Sequence, residues 1–409
     1  MRLFLAVFVL MTTARPLTAA PIAVAQAVQR ALFTHPQSQL AAAVVDEARG
    51  ERRSAAALPP PKLFIRWDDI PSGSGMAAYE EKRVGFSQEF DFPLKYVWDV
   101  KGADLSVSRA QIKSRIILLD LEAAVKQAYL EAWASAERTR ILKDYRDTLD
   151  VYCQRIQAMG ERGEYSPLDA RGCRVNARQA NLKYLAVQRS NAASMTHLAK
   201  LLNLAVDEIE LISPLESDPI DTTLLAAGKP LFDNPQIVEI KTELRLREWR
   251  KTSAKYDWLP ELQLTYFDRV RLDRPDRNSW AFELEMTIPV WFGWGGVGGI
   301  QAAQADLSRA QAELADVQLT LTADYLRLEQ EIKSAFERCE FYRQEMIPLV
   351  KDKTQSAKKS LQLGGAACED FLKVWTEQKE ALLKEVDVKS ELYQKKIEID
   401  KLRGASVVR

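Results

Sequence analysis

The chain has 409 residues with 57 basic and 57 acidic side chains, a formal net charge of zero and an apolar fraction of 47%. That balance removes the net basic face with which a nucleic-acid binder displaces counterions, so nucleic acid is excluded as a partner. Two histidines and four cysteines, Cys153, Cys173, Cys339 and Cys368, with no cysteine pair at ligand spacing, argue against a zinc centre.

Residues 1–20 read as a secretory signal peptide. Arg2 precedes an apolar run from Leu3 to Met11, too short to cross a bilayer as a helix, and the small residues Thr18, Ala19 and Ala20 follow. Pro21 disfavours cleavage directly before it, which shifts the cut by a residue or two; no cysteine stands there to carry a lipid. No later apolar run reaches the length of a spanning helix, so any entry into a membrane has to be made by strands.

From Ile22 to about Ala57 the pattern is helical, broken at His35-Pro36 and ended by Leu58-Pro59-Pro60-Pro61. Leu63, Ile65 and Trp67 then alternate with Phe64, Arg66 and Asp68. After a polar loop, Val84, Phe86, Gln88, Phe90 and Phe92 alternate with Gly85, Ser87, Glu89 and Asp91. Both are strands with one greasy and one wet face. From about Tyr96 to about Gly160 the chain predicts one proline-free helix on the order of 95 Å long, reversed at Gly160 to Pro167 into a second helix that reaches about Leu204.

The same series then returns. His35-Pro36-Gln37 is answered by Asn234-Pro235-Gln236, Leu58-Pro59 by Leu259-Pro260, and Phe86 by Phe282. Ser108-Arg109-Ala110-Gln111 is answered by Ser308-Arg309-Ala310-Gln311, and Gly163-x-x-Ser166-x-x-Asp169 by Gly364-x-x-Ala367-x-x-Asp370. The offsets are 199, 201, 196, 200 and 201 residues. This is a tandem duplication of helix, strand hairpin, long helix, turn and helix. Residues 21–205 form the first repeat, 206–230 the linker, 231–404 the second repeat and 405–409 a tail.

Four strands per chain, each about 9–11 residues long as membrane strands are, leave two open edges, which lipid does not tolerate. Three copies would pool twelve strands into one closed barrel, with the long helices extending from it. The expected fold is therefore mainly α with membrane β: a tandem-repeat protomer of a trimeric twelve-stranded β-barrel continuous with a long α-helical barrel.

The order helix, Pro-terminated strand hairpin, long helix, Gly-x-x-Ser-x-x-Asp turn and helix, given twice, resembles the TolC family of outer-membrane efflux channels over nearly all of the mature chain. Pro59-Pro60-Pro61 before an early strand and Phe86-Ser87-Gln88-Glu89-Phe90 before the long helix are most similar to its cation-efflux, CzcC-like branch. The resemblance implies a homotrimer whose barrel sits in outer-membrane lipid and whose helical tunnel crosses the periplasm. It also implies docking to a periplasmic adaptor (membrane fusion) protein and an inner-membrane proton-driven pump. In that frame Gly163 and Gly364 meet the adaptor, while Asp169 and Asp370 lie by the constriction at the periplasmic tip. Family members commonly carry a second acid three positions after the later aspartate. Here Lys373 stands in its place, and a ring of lysines weakens a cation filter.

Individual residues carry plainer readings beside these. Asp169 and Asp370, early in helices, suit free N–H groups and the helix dipole; capping and gating are compatible. Glu283 and Glu285, on one face of a strand with no third catalytic group, are expected to line a water-filled pore. The run Gly293, Gly295, Gly296, Gly298 and Gly299 literally spells a dinucleotide-binding fingerprint. A nucleotide-binding strand, however, is apolar on both faces. The glycines are read instead as the bend where barrel passes into tunnel. Cys153 and Cys173 flank Gly163 by ten residues each, so an antiparallel hairpin would bring them level; a disulfide requires their Cα atoms within about 7 Å. His35 is placed at a helix break and His197 on a helix face.

No cofactor, metal or enzymatic activity is expected. The leading reading is a passive exit channel of a tripartite efflux system, with heavy-metal cations as the cargo suggested by the CzcC-like motifs. The alternatives are a drug-efflux or protein-secretion duct of the same family, or a periplasmic coiled-coil adaptor. The last class has one hairpin flanked by β-rich halves, whereas this chain has two hairpins.

Overall fold

The computed structural model describes residues 20–73, 75, 78–163, 166–214, 234–271, 276, 278–288, 290, 292–362 and 368–404. The expected signal peptide before Ala20, Gly364 and the tail 405–409 lie outside the described residues. A short strand β1 (Ala20–Ile22) is followed by α1 (Val24–Thr34), α2 (Pro36–Ala55), β2 (Lys62–Asp68), β3 (Glu81–Asp91), α3 (Pro93–Glu161) and α4 (Pro167–Leu202). Next come β4 (Ile209–Leu211), α5 (Pro235–Ser253), β5 (Glu261–Arg271), β6 (Ser279–Met286), α6 (Phe292–Phe341), α7 (Ile347–Gln362) and α8 (Cys368–Arg403).

Proline opens four of these helices, at Pro36, Pro93, Pro167 and Pro235. The first N–H of a helix has no partner inside it, so a residue lacking that group costs nothing there. The preceding residue caps three of them. His35 Nδ1 accepts from the Gln37 amide at 3.3 Å and Ser166 Oγ from the Leu168 amide at 3.3 Å. Asn234 Oδ1 accepts from the amides of Gln236 and Ile237 at 2.8 and 3.3 Å. His35-Pro36 and Asn234-Pro235 thus mark equivalent helix starts, and His35 is a cap. His197 is exposed on α4.

At 69 residues, α3 is a rod about 100 Å long. It packs against α4 in one antiparallel hairpin, while α6 and α7 together oppose α8 in a second. A five-residue π turn, Tyr342–Met346, joins α6 to α7, with the Ile347 amide donating to the Tyr342 carbonyl. Pro348 follows it, and a widened turn absorbs the ring that would otherwise strike the carbonyl four residues back.

The main core joins α1, α3, α4 and α8 around Val28, Val125, Tyr129, Leu198, Leu202 and Tyr393, each under 2% exposed. Tyr129 is the bolt of this region. Its hydroxyl accepts from the Ile212 amide at 2.9 Å and lies 2.7 Å from the Ile22 carbonyl, which it can donate to. It thereby holds the parallel pair β1 and β4, registered Ala20 to Ile209 and Ile22 to Leu211. Residues 206–211, which the sequence suggested were linker, are in part this strand; pairs only three residues long carry no readable alternation. Within α3, Lys126 Nζ lies 2.8 Å from Glu122 Oε1, both side chains being 4% exposed.

The larger sheet has four antiparallel strands in the order β2-β3-β5-β6. The two hairpins meet in its middle at the β3–β5 pairing, so β2 and β6 are its edges. Strand β6 stops at Met286, short of the alternation that ran to Val290; the Thr287 amide continues the ladder, donating to the Glu261 carbonyl at 3.0 Å.

Gly293, Gly295, Gly296, Gly298 and Gly299 are not a bend but lie in the first turns of α6. The change of direction occurs before them, after Met286. A Cβ at Gly293, Gly295, Gly298 or Gly299 would meet nothing within 4 Å. The fold of a single chain therefore gives no reason for glycine there, at about 1 kcal/mol of helix propensity each.

Candidate functional site

The sheet is chemically two-sided, and the strand register shows how. Leu63, Phe86, Tyr266 and Phe282 lie in one row across the four strands, and Gln88, Leu264 and Leu284 in another of the same face. This face is apolar and uncovered: Leu63 is 82% exposed, Phe282 60% and Leu284 63%. It is also lined with aromatic contacts, Phe86 to Tyr266 at 5.8 Å and Tyr266 to Trp280 at 6.3 Å between ring centroids.

The opposite face is polar and arranged in tiers. Nearest the strand-connecting loops, Asp68 pairs across to Glu81. Next come Arg66, Arg83 and Arg269 in one row. Like charges side by side are tolerated because acids interleave them. Arg83 Nε lies 3.1 Å from Asp68 and 2.7 Å from Glu81, and Arg269 Nε lies 3.0 Å from the same Glu81, which is 6% exposed.

One step further in, Phe267 lies against Gly85, which has no side chain to hold it off. The ring is 2% exposed, with Phe64 at 6.2 Å and the guanidinium carbons of Arg83 and Arg269 at 5.5 and 5.7 Å from its centroid. Toward the helices the face turns acidic, with Glu283 opposite Thr265 and Glu285 in a row with Gln263 and Glu89. Both glutamates are exposed on this polar face. The last tier, Asp91 and Glu261, is bridged by Lys95 Nζ at 3.2 Å from each.

At the far end of the helices, Gly163 turns the chain with φ +75°, where a side chain is strained, its amide donating to the Gly160 carbonyl at 3.1 Å. Asp169 occupies the third position of α4, which Ser166 caps; the side chain of Asp169 lies outside what the structure describes. Asp370 holds the third position of α8 and is exposed, as is Lys373 one turn on.

Cys153 and Cys173 form a disulfide, with Cα atoms 5.5 Å apart. They are packed with Tyr152, Ile156, Ala180 and Phe371, so the bond sits where the first hairpin touches the second. Tyr152 and Phe371 are 5.2 Å apart, and the Tyr145 hydroxyl lies 3.1 Å from Thr376 Oγ1. Replacing both cysteines with serine is expected to cost about 3 kcal/mol, the loop-closure value for a loop of roughly this size. A lowered thermal midpoint of the double variant, matched by reduced wild type, checks it.

Among the described residues no helix is long and apolar enough to cross a membrane, and no group of three His, Cys, Asp or Glu side chains is placed to hold a metal ion. The tiers of the polar face were beyond sequence reading. Row membership depends on pairing between residues some 180 positions apart, for which alternation gives no signal.

The profile of the family described as outer membrane efflux protein matches residues 229–405. A search of curated protein sequences finds no match. Among solved structures, the chain is similar to CusC with a TM-score of 0.77 at 15% identity, covering 94% of this chain and 92% of that one. It is similar to the outer-membrane channel OprN with a TM-score of 0.75 at 17% identity, covering 94% and 90%. It is similar to VceC of Vibrio cholerae with a TM-score of 0.74 at 15% identity, covering 93% and 96%. Residues 229–405 match the model of the outer membrane efflux protein family, and the fold of the chain is that of the outer-membrane channels CusC, OprN and VceC.

Proposed function

We propose that this chain is one third of a passive exit duct in a tripartite efflux assembly, formed when three copies close their sheets into a twelve-stranded barrel. One observation carries the reading: a four-stranded sheet, apolar on one face and charged on the other, has both edge strands unpaired. Such edges are excluded from lipid unless they pair with further copies. The apolar face then meets lipid and the polar face lines the lumen.

In this reading the helical shafts continue the lumen through the periplasm as two tandem repeats, residues 21–205 and 231–404. The tips carrying Gly163, Asp169, Asp370 and Lys373 meet a periplasmic adaptor, which links the duct to an inner-membrane pump. Gly364 belongs to the same tip by sequence. The CzcC-like motifs favour metal cations as cargo over drugs or secreted proteins.

The polar face supplies the test. Exchanging Glu283 and Glu285 together for lysine is expected to turn a cation-preferring pore into one that prefers anions, read as a change of sign in the reversal potential across a planar bilayer under a salt gradient. An unchanged reversal potential places both residues outside the lumen.

The glycine turns of α6 give a second test. Because a Cβ at Gly295 meets nothing within 4 Å in its own chain, Gly295→Trp is expected to leave the protomer's helix content intact while lowering trimer yield. Normal trimer yield removes the proposed close approach of a neighbouring copy.

A further inference from the structure

At the foot of the sheet, on its apolar face, a groove of about 810 Å³ opens between β3, β5 and β6 on one side and the ends of α2 and α3 on the other. Phe90, Leu262, Leu264 and Leu284 form the sheet wall, and Val97 and Asp99 stand on the helix wall. Leu284 is 63% and Val97 46% exposed, so the groove continues the uncovered apolar face. Aromatic residues mark its level. The Tyr96 hydroxyl donates to the Ala56 carbonyl at 2.7 Å, Trp98 stacks on Tyr256 at 5.8 Å, and Trp258 is 50% exposed. Tyrosine and tryptophan gathered beside an apolar band are the signature of the headgroup layer.

Asp99 is out of keeping with this lining. It is half-buried and makes no hydrogen bond or ion pair among the described residues. Burial raises its pKa, with Asp91 and Asp257 adding to the rise and Lys95 opposing it. Lys95 is already shared between Asp91 and Glu261. The groove thus joins a long apolar wall to a carboxylate with no hydrogen-bond or ion-pair partner among the described residues, which suits a ligand with a hydrocarbon chain and a cationic head.

We propose that the groove holds a phospholipid with a primary ammonium head group, the ammonium paired with Asp99 and one acyl chain lying along Leu262, Leu264 and Leu284. This rests on reading the apolar face as the lipid-facing one. A phosphatidylglycerol head has no cation to offer Asp99, so its phosphate charge enters a groove already lined by Asp91 and Asp99 with nothing to offset it.

The test is native mass spectrometry of the detergent-extracted protein after equilibration with equal amounts of phosphatidylethanolamine and phosphatidylglycerol. Wild type is expected to retain the ethanolamine lipid about tenfold over the glycerol lipid, the ratio that one charge-assisted contact supplies. Asp99→Asn is expected to bring the ratio near one, and Val97→Trp, which fills the groove, to lower retention of both lipids. Equal retention by wild type, an unchanged ratio in Asp99→Asn, or no retained lipid overturns the groove assignment. Wild-type protein recovered in the soluble fraction without detergent overturns the lipid-facing reading beneath it, so the two failures are distinct.

Discussion

Gly85→Leu is expected to abolish recovery of folded protein. Gly85 sits opposite Phe267 in the β3–β5 pairing that joins the two hairpins. A Cβ there would lie 2.2 Å from the Tyr266 carbonyl oxygen, 2.4 Å from Phe267 Cβ and 2.7 Å from Phe267 Cα. None of these is the movable end of a side chain, so the strands themselves have to separate. The cost is at or above the top of the roughly 1–3 kcal/mol typical of overpacking. It also displaces the ring on which Arg83 and Arg269 rest. Gly85→Ala should be intermediate. Yield of folded protein, scored by heat-modifiable gel mobility, is the measurement; wild-type yield for Gly85→Leu means that Gly85 and Phe267 are not partners.

The second large effect belongs to the buried ion pair of α3. Lys126→Met removes the cation 2.8 Å from the Glu122 carboxylate inside the helix bundle, and loss of one partner of a buried pair costs about 3–5 kcal/mol in comparable cases. Pairing it with Glu122→Leu removes both charges, and replacing a whole buried pair with apolar side chains is typically neutral or stabilising. The expected pattern is therefore a steep fall in thermal midpoint for Lys126→Met and recovery in the double variant. A single variant as stable as wild type, or a double variant worse than the single, contradicts the geometry in which both side chains are 4% exposed and 2.8 Å apart.

What could be read from sequence alone follows a physical line. Signals written within a few residues were legible. The Trp280 to Met286 alternation is strand β6, and Pro93 to Glu161 is one helix within three residues of its expected ends. The symmetric placing of Cys153 and Cys173 about Gly163 left a disulfide open as one reading beside buried thiols, and the hairpin brings their Cα atoms to 5.5 Å, where they bond.

Signals that depend on distant partners were not legible. Ser87, Thr265 and Glu283 share a row that only the strand pairing defines. The bond of Tyr129 to the Ile212 amide joins segments 83 residues apart. The glycine run misled for a different reason. Five glycines within seven positions ordinarily argue against helix, yet these residues lie in the first turns of α6, and a Cβ at Gly293, Gly295, Gly298 or Gly299 meets nothing within 4 Å. Nothing within the chain accounts for them, and the close approach of a neighbouring copy proposed above is what Gly295→Trp tests.

That neighbour is the central claim, and one measurement addresses it directly. The protein, extracted from membranes in mild detergent, is sized by chromatography with light scattering, and the mass of polypeptide per particle is separated from that of detergent. Closure of the unpaired edges of β2 and β6 predicts three copies per particle. A monomer that is soluble without detergent would contradict it.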